Sequence, residues 1–103
     1  MIGLFFCKTF GEVIGEISDS NLDENNMIQS SDIVISNPER VQLTSQGGMV
    51  LPILAMSSEK ELSINESELI SMKVYKLDNE IEKQYRERYG KVVLPSSKLQ
   101  LLD

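Results

Sequence analysis

Cys7 carries the one thiol in a chain of 103 residues that contains no histidine and no tryptophan, so nucleophilic chemistry would have to be built around it. A thiol attacks only as the thiolate, which needs a neighbouring base or cation. Around Cys7 stand Leu4, Phe5 and Phe6 instead, the surroundings of a buried strand, and the residue reads as structural. Without histidine, the usual triads, zinc sites and neutral-pH general bases lose their commonest member. The chain is therefore read as a non-enzyme with no catalytic residue, no metal site and no cofactor. Asp19, Asn21 and Asp23 have the one-three-five oxygen spacing of a calcium loop. Glu24 takes the glycine position, however, and Ser30 that of the bidentate glutamate, so the stretch reads as a solvated acidic loop. Glu66 and Glu68 are likewise read as solvated acids of a turn, because two carboxylates alone do not make an acid-base pair.

The length fits one small domain with a modest core, and the hydrophobic and charged fractions, 41% and 25%, are those of a globular protein. Its longest early apolar stretch stops at Lys8, far short of the roughly 20 residues that span a bilayer. No membrane anchoring is expected. A lone cysteine fits a reducing compartment, and cytoplasm is the expected location. Net charge is −6, which opposes a general coat for nucleic-acid backbone. The charge is uneven: residues 1–72 hold three bases against eleven acids, whereas residues 73–102 hold seven bases against four acids.

The elements that would position these residues are mostly strands. Residues 4–10 are rich in aromatic and β-favouring types and end at Gly11, which predicts a strand, a turn at Gly11-Glu12 and a hairpin partner over residues 13–18. Gly15 inside that partner predicts a bulge or sharp bend. Residues 19–32 are polar and turn-prone and predict a loop with a short paired segment. Strand character resumes at Ile33-Val34-Ile35, is interrupted at Asn37-Pro38, and continues through Val41 and Leu43 to a turn at Gln46-Gly47-Gly48. The apolar run over residues 49–56 predicts a strand buried on both faces, with Pro52 at a bulge or edge. Leu62 and Ile64 alternate with polar neighbours, and a last strand is expected over residues 69–75, which makes five or six strands in all.

Beyond the strands, Asp78 is an N-cap, Glu80 and Glu82 lie in the first turn, Arg86 and Arg88 near the end, and Gly90 is a stop. This predicts one helix over about residues 78–89. Leu77, Ile81, Tyr85 and Tyr89 form a narrow apolar stripe along it, expected to pack on the chain's own sheet rather than on a dedicated partner. The tail, residues 91–103, is expected either to add a strand to a neighbouring subunit or to remain a loose end.

In order, these elements resemble the Sm and Sm-like (LSm/Hfq-type) family, and the layout is similar to that of its divergent phage-encoded members. Gly15-Glu16-Ile17 is similar to the family's Gly-x-Leu, Ile35-Ser36-Asn37-Pro38 to the end of its first motif, and residues 64–69 to its second motif, Ile-Arg-Gly-x-x-Ile. The resemblance covers residues 4–75. It implies a small, strongly bent five-stranded Sm/SH3-like barrel over residues 1–75; the C-terminal helix and tail over residues 76–103 depart from the family's layout and are expected to pack on the barrel or on a neighbouring subunit. It also implies a ring of roughly five to seven copies that buries exposed sheet edges. On that analogy Met49, Leu51, Ile53, Leu69, Met72 and Val74 line the subunit contact, and the compartment is the cytoplasm of a host cell.

Departures fall where RNA would be met. The family's Asp-x-x-x-Asn loop aligns with residues 28–32, which keep neither polar residue, and an alternative alignment puts Asn25 or Asn26 there. The second motif's Arg-Gly pair becomes Asn65-Glu66. Two functions follow. One is a homo-oligomeric ring that binds single-stranded RNA through Asn25, Asn26 and Asn65, whose amides can read unstacked bases, with Arg86 and Arg88 supplying charge. The other is an oligomeric protein-interaction or virion-associated module that kept the fold and lost the RNA site.

Overall fold

The structure, a computed structural model, describes residues 1–90. Expectations for residues 91–103 lie outside the described residues. Six strands and one helix follow in chain order: β1 (Ile2–Cys7), β2 (Gly11–Glu16), β3 (Asp32–Thr44), β4 (Gly47–Pro52), β5 (Glu61–Asn65), β6 (Tyr75–Lys76) and α1 (Asn79–Arg88). All strand pairs are antiparallel, in the order β4-β3-β2-β1-β6, with β5 on the first part of β3. The fold is therefore mostly β, a bent antiparallel sheet with one C-terminal helix.

Local chemistry accounts for the turns. β1 and β2 join through residues 8–10, and Gly11, at φ +74°, opens β2 opposite Cys7 instead of forming the apex. That is the three-residue hairpin in which a left-handed glycine closes the turn, so the turn lies earlier than the Gly11-Glu12 of the sequence reading. The register between β2 and β3 shifts between Ile14 and Glu16, as the placement of Gly15 predicts. A Cβ there would collide with the Ile35 side chain and stand 3.3 Å from the Ser36 carbonyl.

β3 is the axis of the fold. Residues 32–36 pair with β5, residues 39–44 pair with β4 on the same edge, and β2 takes the opposite edge around residues 36–40. Asn37-Pro38, expected to interrupt the strand, bends it instead: Asn37 sits at φ 48° and its N–H donates to the Lys60 carbonyl at 2.7 Å. Asparagine tolerates this left-handed conformation better than most residues.

The strand expected over residues 69–75 is mostly replaced by shorter contacts. Asn65 caps a 3-10 turn at Glu66–Glu68, and the chain then touches β1 at Leu69 and Ile70 and again at β6. Between these points the backbone turns to the loop before β3, with Ile28 N–H on the Met72 carbonyl at 2.7 Å and Val74 N–H on Asn26 at 2.9 Å. Its hydrogen bonds are divided between two neighbours, so no continuous strand forms.

Two apolar clusters lie on the two faces of the sheet. Phe5, Cys7, Val13, Ile33, Ile35 and Ile64 form the larger cluster, on the inner face of the bent sheet, together with Ile17, Ile28, Leu69 and Val74. On the outer face Ile2 and Ile14 pack with Tyr85 of α1, flanked by Leu4, Val41, Val50, Leu77 and Tyr89. The helix begins one residue inside its expected start, with Asp78 accepting the Glu80 N–H at 3.1 Å, and stops before Gly90, at φ +68°. Its stripe docks on the chain's own sheet.

Candidate interaction site

A buried carboxylate holds the helix to the sheet. Glu39, on β3 just past the bend, is 1% exposed. Arg88 donates to both of its oxygens, Nε at 2.8 Å and Nη2 at 2.6 Å, and Tyr89 donates its hydroxyl to the same group. One turn earlier, the buried Tyr85 directs its hydroxyl to the Ser36 and Asn37 carbonyls, at 3.0 and 2.9 Å. Hydrogen bonding to Glu39 holds the Arg88 guanidinium firmly charged, against the opposing effect of burial. Burial pushes both phenols above the ordinary tyrosine value, Tyr85 helped by the nearby Tyr89 and Tyr89 by its bond to Glu39. The bend of β3 is thus gripped from the outer face.

Glu39 pairs in register with Pro52, so this clamp grips the root of the β3–β4 hairpin. Beyond it the hairpin projects. The outer edge of β4 has no strand partner among the described residues. Leu43 is 84% exposed, Met49 46% and Leu51 41%, and Met56, in the following turn, is fully exposed. A quarter of the chain is charged, yet none of residues 41–58 is. An open groove of about 490 Å³ runs between α1 and the hairpin, with Leu4, Ile14, Val41, Val50 and Ile81 in its walls. Exposed strand edges are ordinarily guarded by charge, and this one is bare and apolar.

This corrects the burial expected for residues 49–56. The run is a strand only as far as Pro52, residues 53–58 form turns and bends, and most of it faces outward. A continuous apolar run suits a two-sided core strand or a surface that meets another molecule, and periodicity cannot separate them. The signal that could have done so is the absence of charge over residues 41–58. Among the other residues expected at a subunit contact, Leu69 and Val74 belong to the interior, and Ile53 and Met72 pack against it half-buried.

The residues expected to meet RNA fall in three places. Asn65 uses its amide within the chain, Nδ2 donating to Asp32 at 3.0 Å and Oδ1 accepting the Ser67 N–H at 3.0 Å. Asn25 and Asn26 form a turn closed by Asp23, whose Oδ1 accepts the N–H groups of Asn25 and Met27 at 2.8 and 2.9 Å. That turn lies beside Lys73 and Val74, through the Met27–Lys73 bridge and the Asn26 carbonyl. Arg86 pairs with Glu82 one helical turn away at 2.8 Å, and Arg88 with Glu39. Cys7 is buried, and burial, with the Glu68 charge second, pushes its thiol up to about 11. Glu68 itself accepts the Thr9 N–H at 3.1 Å. No group of three metal-ligating side chains occurs among the described residues, and no described helix is long and apolar enough to cross a membrane.

No known family model matches the sequence, and no characterised protein matches it at a significant level. The fold and the site define a small all-β domain with a docked helix and a neutral, projecting hairpin.

Two consequences can be measured. Arg88→Ala strips a buried carboxylate of its cation; because the guanidinium is about a third exposed, the loss is about 2–3 kcal/mol in urea unfolding, below that of a fully buried pair. The double change Glu39→Met with Arg88→Met recovers part of it, since no buried charge is then left without a partner. The raised phenols set the alkaline behaviour. Their contribution to stability is complete below the ordinary tyrosine value of 10.0 and is lost as pH rises through the higher folded-state values. The midpoint of thermal unfolding should therefore fall from about pH 10 upward, and less steeply in Tyr85→Phe than in the parent chain.

Proposed function

We propose that the domain is a barrel of the Sm-like, SH3-related kind and that it works as a homo-oligomeric interaction module, assembling through the β3–β4 hairpin. One observation carries this reading: the charge-free stretch of residues 41–58 coincides with the unpartnered strand edge and with exposed Leu43, Met49 and Leu51. Burying those side chains against a partner removes apolar surface from water, at about 25 cal/mol per Å². In a chain of net charge −6, the hairpin is also where a second acidic body can approach with least repulsion. Native mass measured over a range of concentrations tests it. The expected outcome is an assembly that persists in high salt, because apolar contacts are not screened, and that Leu51→Lys dissociates. A monomer at every concentration overturns the reading.

A second reading, single-stranded RNA binding, is favoured by the neighbourhood of Tyr75. Lys73 holds its ammonium 5.3 Å from the Tyr75 ring centroid, Phe6 meets that ring edge-on at 5.4 Å, and the Asn25-Asn26 turn is adjacent. Exposed aromatics flanked by cations and amides are the parts that stack and read unpaired bases. Short uridine- or adenine-rich RNA should then bind at low salt and lose about tenfold affinity or more with Tyr75→Ala, a stacking contact being worth about 1–3 kcal/mol. No binding at low salt removes this reading.

A further inference from the structure

We propose that β4 pairs with the β4 of a second copy, antiparallel and about a two-fold axis centred on Val50. The proposal rests on the assembly reading above and gives it a geometry.

The choice between a two-fold and a head-to-tail contact turns on what else the chain offers. A head-to-tail contact needs a second surface complementary to β4, whereas a two-fold contact needs only β4 itself. The remaining strand edges are poor partners for a neutral apolar strand. β5 contains Glu61 and is flanked by Glu59, Lys60 and Glu66; β6 has two residues, one of them Lys76, between Lys73 and Asp78. Pairing β4 with either would draw charged side chains toward an apolar contact that supplies no counter-charge. Against itself β4 brings together six uncharged residues, Gly-Gly-Met-Val-Leu-Pro.

Register follows from the face each side chain occupies. Met49 pairs with Gln42 and Leu51 with Arg40 across the hairpin, so Met49 and Leu51 share one face, and Val50, opposite Val41, lies on the face that α1 covers. A two-fold axis normal to an antiparallel pair preserves faces, so one residue must oppose its own counterpart. Centring on Met49 would set Leu51 against Gly47, which has no side chain to cover it. Centring on Val50 sets Met49 against Leu51 of the second copy, and the reverse, so both exposed side chains gain an apolar partner.

The backbone agrees with that centre. The two-residue turn that pairs Thr44 with Gly47 directs the polar groups of alternate residues toward β3 and leaves Gly48, Val50 and Pro52 facing outward. Val50 then exchanges N–H and carbonyl with its counterpart, and each Gly48 N–H meets the other copy's Pro52 carbonyl. Proline has no N–H to return to the Gly48 carbonyl, so each of these outer pairs keeps one bond and the ladder ends at Pro52.

Single-cysteine crosslinking with a short bismaleimide tests this alongside native mass. The parent chain is the control, because its only cysteine, Cys7, is buried. Val50→Cys should give a covalent dimer at least tenfold faster than the parent chain, and the native mass should be that of two chains. Leu51→Lys should weaken that dimer at least tenfold. An assembly of five to seven chains in which Val50→Cys does not crosslink to itself overturns the two-fold contact and leaves the assembly reading standing. A monomer overturns both.

Discussion

The buried Glu39 carboxylate is the constraint on which the rest of the arrangement depends. A charge 1% exposed is tolerated only where its oxygens are fully used, and here a bidentate arginine and a phenol supply the donors. Nothing in the intrinsic helix propensity of α1 would hold so short a helix in place, since ten residues are marginal alone. Tyr85 contributes apolar area, but apolar area is non-directional. The register of the helix against β3 comes from the Arg88 fork and from the Tyr85 hydroxyl on two consecutive carbonyls. Helix position and strand bend are therefore one event: without α1, the Ser36 and Asn37 carbonyls lose their donor and Glu39 loses its cation.

That event also decides what remains exposed. By gripping β3 at residues 36–39, the helix covers the outer face only as far as Val41 and Val50, and the hairpin beyond continues without cover. Sheet proteins usually defend such an edge with lysine, proline or a bulge; here Pro52 stands at the end of β4 near the root, and the outer part carries no defence. A bare edge on an acidic body differs from one on a neutral body, however. The surrounding negative charge opposes indiscriminate stacking of many copies and leaves a narrow range of approaches in which neutral meets neutral.

Much of the architecture was legible from short-range signals. The cap at Asp78, the acids of the first turn and the stop at Gly90 set the helix to within a residue at each end, because each acts on backbone groups beside it. Gly15 marked its bulge for a similarly local reason. What escaped was long-range. Arg88 and Glu39 are 49 residues apart, and nothing near either names the other. Without that pairing Arg88 reads as a surface cation free for phosphate. The amide of Asn65 is likewise engaged by Asp32 from a strand 33 residues earlier. The run at residues 49–56 was misjudged for a different reason: hydrophobicity reports that surface wants to leave water, not which molecule will cover it.

The same distinction bears on charge. By count, residues 73–88 are the basic part of the chain, yet Arg88 is neutralised against Glu39 and Arg86 against Glu82. What counts for a distant phosphate is the field left after such pairing, and an arginine with a carboxylate at 2.6–2.8 Å projects little of it. With three acids and three bases the helix is neutral by count, and both of its arginines are paired as well. Among the described residues, an acidic sheet, a self-compensated helix and a neutral hairpin attract a distant polyanion only weakly. Both proposed readings accordingly rest on short-range contact, strand pairing at β4 in one and stacking at Tyr75 in the other. Of these, the hairpin offers the larger apolar area and the longer row of open backbone groups, so protein–protein assembly is the reading to which the balance of forces leads.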